Sequence, residues 1–189
     1  ASPPSRPHGP ADRWRRSRPG RVSNIITKEK LFCRCGAHRE RGTKPNTFIC
    51  PICCGMPGAK PMLANKEAIK KAILIGAMLG CKINNEFKWQ RKHYDWPDMP
   101  KGYQNTISGG RTRAVGEKGR FDNIEIWSMH LEEDPASWNP DTGEIDYNRS
   151  GLPLVEIITA PEFETAEEVV KWLNKLIHNL AYLKIVDSN

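Results

Sequence analysis

No stretch of this 189-residue chain approaches the roughly 20 consecutive apolar residues that a bilayer-crossing helix requires. The longest such run, Ala72 to Leu79, is too short and reads as one face of a packed helix. No membrane role is expected. A secretory leader is missing from the start, and the first residue is Ala instead of Met. The glycine motifs that cradle phosphates are missing too. Neither G-x-x-x-x-G-K-[ST] nor G-x-G-x-x-G occurs, and Gly109-Gly110 is too sparse to wrap a phosphate alone. There is no internal repeat.

Residues 1–24 are almost empty of aliphatic side chains and rich in Pro, Arg and Ser. Such a segment cannot bury enough surface to offset its ordering entropy, so residues 1–27 are expected to form a disordered basic tail. The tail is Arg-rich and acid-poor like a transit peptide, but Pro3, Pro4, Pro7, Pro10 and Pro19 spoil an amphipathic helix. The net charge of +7 resembles a nucleic-acid signature until it is localised. Eight basic residues against Asp12 and Glu29 give residues 1–30 a charge of +6, and the remaining 159 are close to neutral. The body therefore carries no separate electrostatic argument for RNA.

What the chain does have is cysteine in a pattern. Cys33, Cys35, Cys50 and Cys53 form a C-x-C…C-x-x-C array. Two such pairs joined by one loop can close a tetrahedral shell around Zn²⁺. A closed shell leaves no open coordination position, so the site would be structural, contributing roughly 10–16 kcal/mol to folding. Ordinary buried thiols, a redox pair and a disulfide framework are the competing readings. Cys54 is the substitute ligand for Cys53, and Cys81 lies apart in an apolar helical run.

Asn65 caps a predicted helix from Lys66 to about Leu79, with Ile69, Ala72, Ile73 and Ala77 on its apolar stripe and Gly80 as its stop. Residues 86–104 read as an aromatic, proline-broken loop. Ile124 and Ile126 open an alternating strand towards His130, and Leu152 to Thr159 is a more continuously apolar, central strand. Thr165-x-x-Glu168 is a capping box for a helix that turns Val169, Leu173, Leu176, Ile177 and Leu180 to the core. The order predicts an α+β fold with a mixed sheet.

Glu132, Glu133 and Asp134 end the first strand, with Glu133 on the opposite face from the other two. Glu156 stands alone in an apolar strand, where burial is costly unless a partner or a cation compensates. Two carboxylates from neighbouring strands, with waters and phosphate oxygens, suit octahedral Mg²⁺. Against this stand a solvated loop for residues 132–134 and an outward position or an Arg149 salt bridge for Glu156. Asp146 to Gly151 is a polar turn between the two sites. The cations beside aromatics at Arg91-Lys92-His93-Tyr94 and Lys101-Gly102-Tyr103 suit either nucleotide contacts or cation–π packing.

Four blocks in one order, Lys44 to Pro61, Arg91 to Gln104, His130 to Asp134 and Asp146 to Ile157, resemble the B subunit of the aspartyl/glutamyl-tRNA amidotransferases, most closely the archaeal versions. The likeness covers about residues 28–187. It implies the N-terminal catalytic cradle domain of the amidotransferase B/E family, a cytoplasmic ligase that uses ATP. In that reaction the side-chain carboxyl of Glu on tRNA-Gln, or of Asp on tRNA-Asn, is phosphorylated and then amidated by ammonia. The ammonia comes from glutamine through a partner amidase, the A subunit, in a complex that also holds a small C subunit. By the same likeness Glu133 and Glu156 hold Mg²⁺ near ATP with Glu132 close by, Lys92 and Lys101 line the ammonia route, and the four cysteines hold zinc.

The departures are as informative. Members of that family open with Gly-Leu-Glu-x-His-x-Gln-Leu, where this chain reads Arg18 to Thr27, so an acidic residue, a histidine and a strand of the sheet are expected to be missing. The chain stops at Asn189, before the rest of the catalytic domain and the helical tRNA-binding tail. Weak ATP·Mg²⁺ binding and no turnover by the chain alone are expected. The alternatives are a catalytically dead, zinc-stabilised module that docks a partner or RNA, and the archaeal paralogue that serves tRNA-Gln alone.

Overall fold

The computed structural model of the chain describes residues 20–37 and 42–186; residues 1–19 of the expected tail lie outside them. Their strands are β1 (Gly20–Asn24), β2 (Lys82–Ile83), β3 (Gln90–His93), β4 (Tyr103–Thr106), β5 (Gly116–Phe121), β6 (Ile124–Glu133), β7 (Ser137–Trp138), β8 (Ile145–Asp146) and β9 (Pro153–Thr159). The helices are α1 (Lys66–Met78) and α2 (Ala166–Tyr182).

One sheet runs β1-β9-β6-β4-β3, with β5 also paired to β6 and β2 to β5. The ten residues of β6 give room for two neighbours on one edge: β5 along Ile124 to Met129 and β4 at Glu132. β9 is central, as its apolar run predicts, with Val155 and Ile157 fully buried. Every described ladder is antiparallel, so the fold is α+β but the sheet is not mixed. Parallel neighbours need crossovers of a dozen or more residues, and the β3–β4 and β5–β6 connections are too short for one.

β1 corrects two expectations. Its backbone pairs with β9 from Gly20↔Ile158 to Asn24↔Leu154, Ile25 N donates to Pro153 O at 3.0 Å, and Ile25 is fully buried. The ordered fold therefore starts by residue 20, and the sheet has its flanking strand. Ladder formation uses main-chain groups that every non-proline residue carries, so an unfamiliar sequence can still pair. The expected loop at residues 86–104 likewise contains β3 and the start of β4. β3 is an edge strand with polar side chains on both faces, and so has no hydrophobic alternation to reveal it.

Both helix caps are as read. The Asn65 side chain accepts from Glu67 N, and Thr165 and Glu168 make both halves of the capping box. The buried faces differ in detail. On α1 the buried residues are Ala68, Ala72, Ile75 and Gly76; Ile69 and Ile73 only flank the core, and Ala77 is exposed. Small side chains let the helix sit close to the sheet, where a Cβ on Gly76 would lie 3.3 Å from Met129 Cε. On α2, Trp172, Leu176 and Leu180 are buried, while Val169 and Leu173 flank them. Trp172 packs edge-on to Phe121 and Phe163 and donates Nε1 to Phe121 O at 2.9 Å.

Candidate catalytic face and metal centre

The knuckle comes first along the chain. Sγ atoms of Cys33, Cys35, Cys50 and Cys53 all lie within 4.8 Å of one another. Cys53 Sγ is 4.0 Å from Cys35 Sγ and 3.9 Å from Cys50 Sγ. Four sulfurs at about 2.3 Å from one ion would stand about 3.8 Å apart, so the donor set fits tetrahedral zinc. Cys54, the substitute, is not in the cluster. A hydrogen bond from Cys33, with the Cys50 amide and Lys30, pulls the Cys53 thiol down to about 4 against the opposing effect of burial. Burial and the Cys50 thiol push Cys35 up to about 12.

The register of β6 on β9 sorts the acidic residues. His130 pairs with Glu156, Glu132 with Leu154 and Glu133 with Pro153, in an antiparallel ladder that is regular from Ser128 to Glu133, beyond a register shift between Ile126 and Ser128. Directly paired residues share a face and successive residues alternate. Ser128, His130, Glu132 and Glu156 therefore lie on one face. Thr106 pairs with Glu132 and Lys92 with Gln104, which brings Thr106, Gln104 and Lys92 onto the same face. The contacts agree: Thr106 Oγ1 donates to Glu132 Oε1 at 2.6 Å, and Gln104 Nε2 donates to Glu132 Oε2 at 3.1 Å. Burial raises the Glu132 carboxyl above the usual range and Glu156 adds to this, while Thr106, Lys92 and Gln104 oppose it.

Glu133 faces the other way, with Met129, Leu131, Val155 and Ile157, on the side that α1 covers. The expected convergence of Glu133 with Glu156 is therefore corrected: adjacent strands carry them, but on opposite faces. Glu133 is 2% exposed and held by Lys101 Nζ and by Asn105 N at 2.7 Å. Lys101 and the guanidinium of Arg91 also lie over the Tyr103 ring, the cation–π arrangement. Thus Lys101 and Glu133 form one pair and Lys92, Glu132 and Glu156 another group. Buried Asn105 Nδ2 has no hydrogen-bond partner among the described residues.

None of the three carboxylates at residues 132–134 is solvated, which removes the open-loop reading. Asp134 keeps the β6 register beyond the strand, donating its amide to Leu152 O. Arg149 reaches it instead of Glu156, with Nε and Nη2 each 2.8 Å from a carboxylate oxygen. His130 adds a group that pattern reading missed. Its Nδ1 lies 3.1 Å from Ile107 O, which only accepts, so Nε2 accepts from Ser128 Oγ at 2.8 Å. Burial lowers its pKa, the direction that favours the neutral imidazole this hydrogen-bond pattern needs. A histidine inside a strand is common, and only the register shows that it faces Glu156.

Chemically, this face offers two carboxylates for a hard cation, a lysine beside them and neutral donors to orient an anion. A family model described as the GatB/GatE catalytic domain matches residues 23–189. The chain is 47% identical over 161 residues to the B subunit of the aspartyl/glutamyl-tRNA(Asn/Gln) amidotransferase of Methanocaldococcus jannaschii, an alignment covering 84% of this chain and 33% of that protein. The proteins of the same description from Methanococcus maripaludis strain C5 and Methanothermobacter thermautotrophicus are 46% and 45% identical, over 84% of this chain and 33% and 34% of theirs. The chain spans about a third of the length of these curated relatives. With the family model matching most of its length, the chain belongs to the GatB/GatE catalytic-domain family.

Proposed function

We propose that this chain forms the phosphorylating part of the B subunit of a tRNA amidotransferase, acting on Glu-tRNA(Gln) or Asp-tRNA(Asn). The observation that carries the reading is the convergence of Glu132, Glu156 and Lys92 on one sheet face. Glu132 and Glu156 would hold Mg²⁺, which when bound would neutralise charge on the ATP phosphates. Lys92 supplies a further positive charge, and Thr106 and Gln104 fix the Glu132 carboxylate so that it need not reorganise.

In the first step a side-chain carboxylate oxygen of the aminoacyl group bonds to the γ-phosphorus and ADP leaves. In the second, the ammonia lone pair attacks the acyl carbon, phosphate leaves, and one proton is lost to give the amide. The Lys101–Glu133 pair, to which Asn105 N donates, is a buried polar patch on the opposite face, and an ammonia route along it would round the sheet edge at β3 to reach the phosphorylated carboxyl. An amidase (the A subunit) and a small C subunit would complete the cytoplasmic complex, the amidase releasing that ammonia from glutamine. The four cysteines would hold structural Zn²⁺.

Isothermal titration of the 189-residue chain with Mg·ATP tests this. Weak binding, with Kd on the order of 1 mM, is expected for the parent. Glu132→Gln and Glu156→Gln should each weaken it at least about tenfold, and Glu133→Gln much less. Equal heats from all four proteins would remove the phosphorylation centre and leave a zinc-stabilised docking module.

A further inference from the structure

Lys30 is the largest fully buried side chain among the described residues, 1% exposed. An ammonium group out of water is costly unless opposite charge or good acceptors surround it. Among the described residues no carboxylate pairs with it. Its Nζ lies 3.5 Å from Cys53 Sγ and donates to Tyr147 O at 3.0 Å. The compensation is therefore sulfur and one carbonyl. Neutral thiols would be a poor counter-charge. Four thiolates around a divalent ion carry a net charge of −2, which one lysine halves.

The second contact leads out of the knuckle. Tyr147 belongs to the turn at residues 146–151, which is stitched to the cysteine loops at several points. Asn148 Oδ1 accepts from Thr47 N and Phe48 N, Ser150 Oγ donates to Cys53 O at 2.7 Å, and Leu31 N donates to Gly151 O. The far side of the same turn grips the end of β6: Gly151 N donates to Asp134 O, and Arg149 clamps the Asp134 carboxylate. Asp134 is two residues from Glu132.

We propose that Lys30 is a positioning residue: it is the counter-ion of a four-thiolate metal centre and, through the Tyr147 carbonyl, locks the 146–151 turn onto the end of β6. Filling the cysteine site thereby orders the margin of the catalytic face. The inference rests on the cysteine cluster as a metal centre and not on nucleotide chemistry.

The test is amide hydrogen exchange on the zinc-loaded 189-residue chain, beside zinc affinity measured by competition with a chromophoric chelator. Removing zinc from the parent should speed exchange of Ser150, Gly151 and Asp134 at least tenfold and leave α2 unchanged. Lys30→Met should weaken zinc binding at least tenfold and leave the turn fast-exchanging at saturating zinc. Lys30→Arg, which keeps the charge, should recover most of the affinity. Unchanged exchange at the turn after zinc removal overturns the proposal. So does parental zinc affinity and turn protection in Lys30→Met, or exchange that rises uniformly across sheet and helices. If the Met variant does not fold, Lys30→Gln takes its place in both measurements, with the same expected and overturning results. No nucleotide enters any arm, so a failed Mg·ATP titration leaves this test intact.

Discussion

Glu132 is built for a charge that the bare fold disfavours. Its native pKa lies above the unfolded value, so between those values the folded state binds the proton more tightly. Stability then falls as pH rises through that window, and the cost is complete once pH exceeds the native value. Glu132→Gln keeps the shape and the Thr106 and Gln104 partners while removing the cost. Without divalent metal its thermal midpoint should therefore exceed the parent's at pH 7.5, the difference vanishing below about pH 4, where both side chains are neutral. A midpoint equal to or below the parent's at pH 7.5 would show that the carboxylate is already compensated. His130 has the opposite sign. Its native pKa is depressed, so its stabilising contribution is present above about pH 6.5 and is lost as pH falls below it, when the unfolded chain takes up the proton first. In urea titrations at pH 7.5 and 5.5, His130→Gln should shrink the stability lost between the two; an unaltered difference would place that pH dependence elsewhere.

At the scale of elements, the chain just past the end of α1 meets β5 closely. Leu79 O accepts from Arg120 N, and a Cβ on Gly119 would stand 2.6 Å from Leu79 O and 2.5 Å from Cys81 Sγ. The Leu79 carbonyl is backbone and cannot swing aside. Gly119→Ala should cost about 1–3 kcal/mol through overpacking, read as a lower urea midpoint at unchanged slope, whereas Gly110→Ala, with open space around it, should be close to neutral. Local chemistry explains which elements could be read from sequence. Asn65, Thr165 with Glu168, and the cysteine spacings each act within a few residues, and all three appear where their residues predict. An apolar stripe misplaces the α1 face because Ala68 and Gly76 are buried for their smallness, which such a stripe does not register. β3 is invisible to pattern because an edge strand needs no hydrophobic side. The acidic site fails at its pairing only: alternation already separates Glu133 from Glu132, but which of them meets Glu156 depends on the β6–β9 register, a non-local quantity. Lys30 lies outside any motif, since nothing local to it announces that Cys53 and Tyr147 will enclose it.

At the scale of the whole molecule, one antiparallel sheet separates two environments: α1 covers the side of Met129, Leu131, Val155 and Ile157, and the other side carries the polar row. β9 lies at the centre of that division because β1 covers the edge that β6 does not. The ladder is main-chain, so its contribution survives the unfamiliar sequence of β1, and Ile25 immediately after it is fully buried. A chain starting at Ile25 would expose the β9 edge from Leu154 to Ile158, a row of unpaired donors and acceptors on an apolar strand, the arrangement that recruits a second chain. The shortened chain should melt about 2–8 °C below the parent, consistent with a loss of about 1–2 kcal/mol for a domain of this size, and its light scattering should rise with concentration. A melting point and scattering identical to the parent's would mean that β9 tolerates a bare edge. Glu156 would then owe its placement to β6 alone, through the His130 pair.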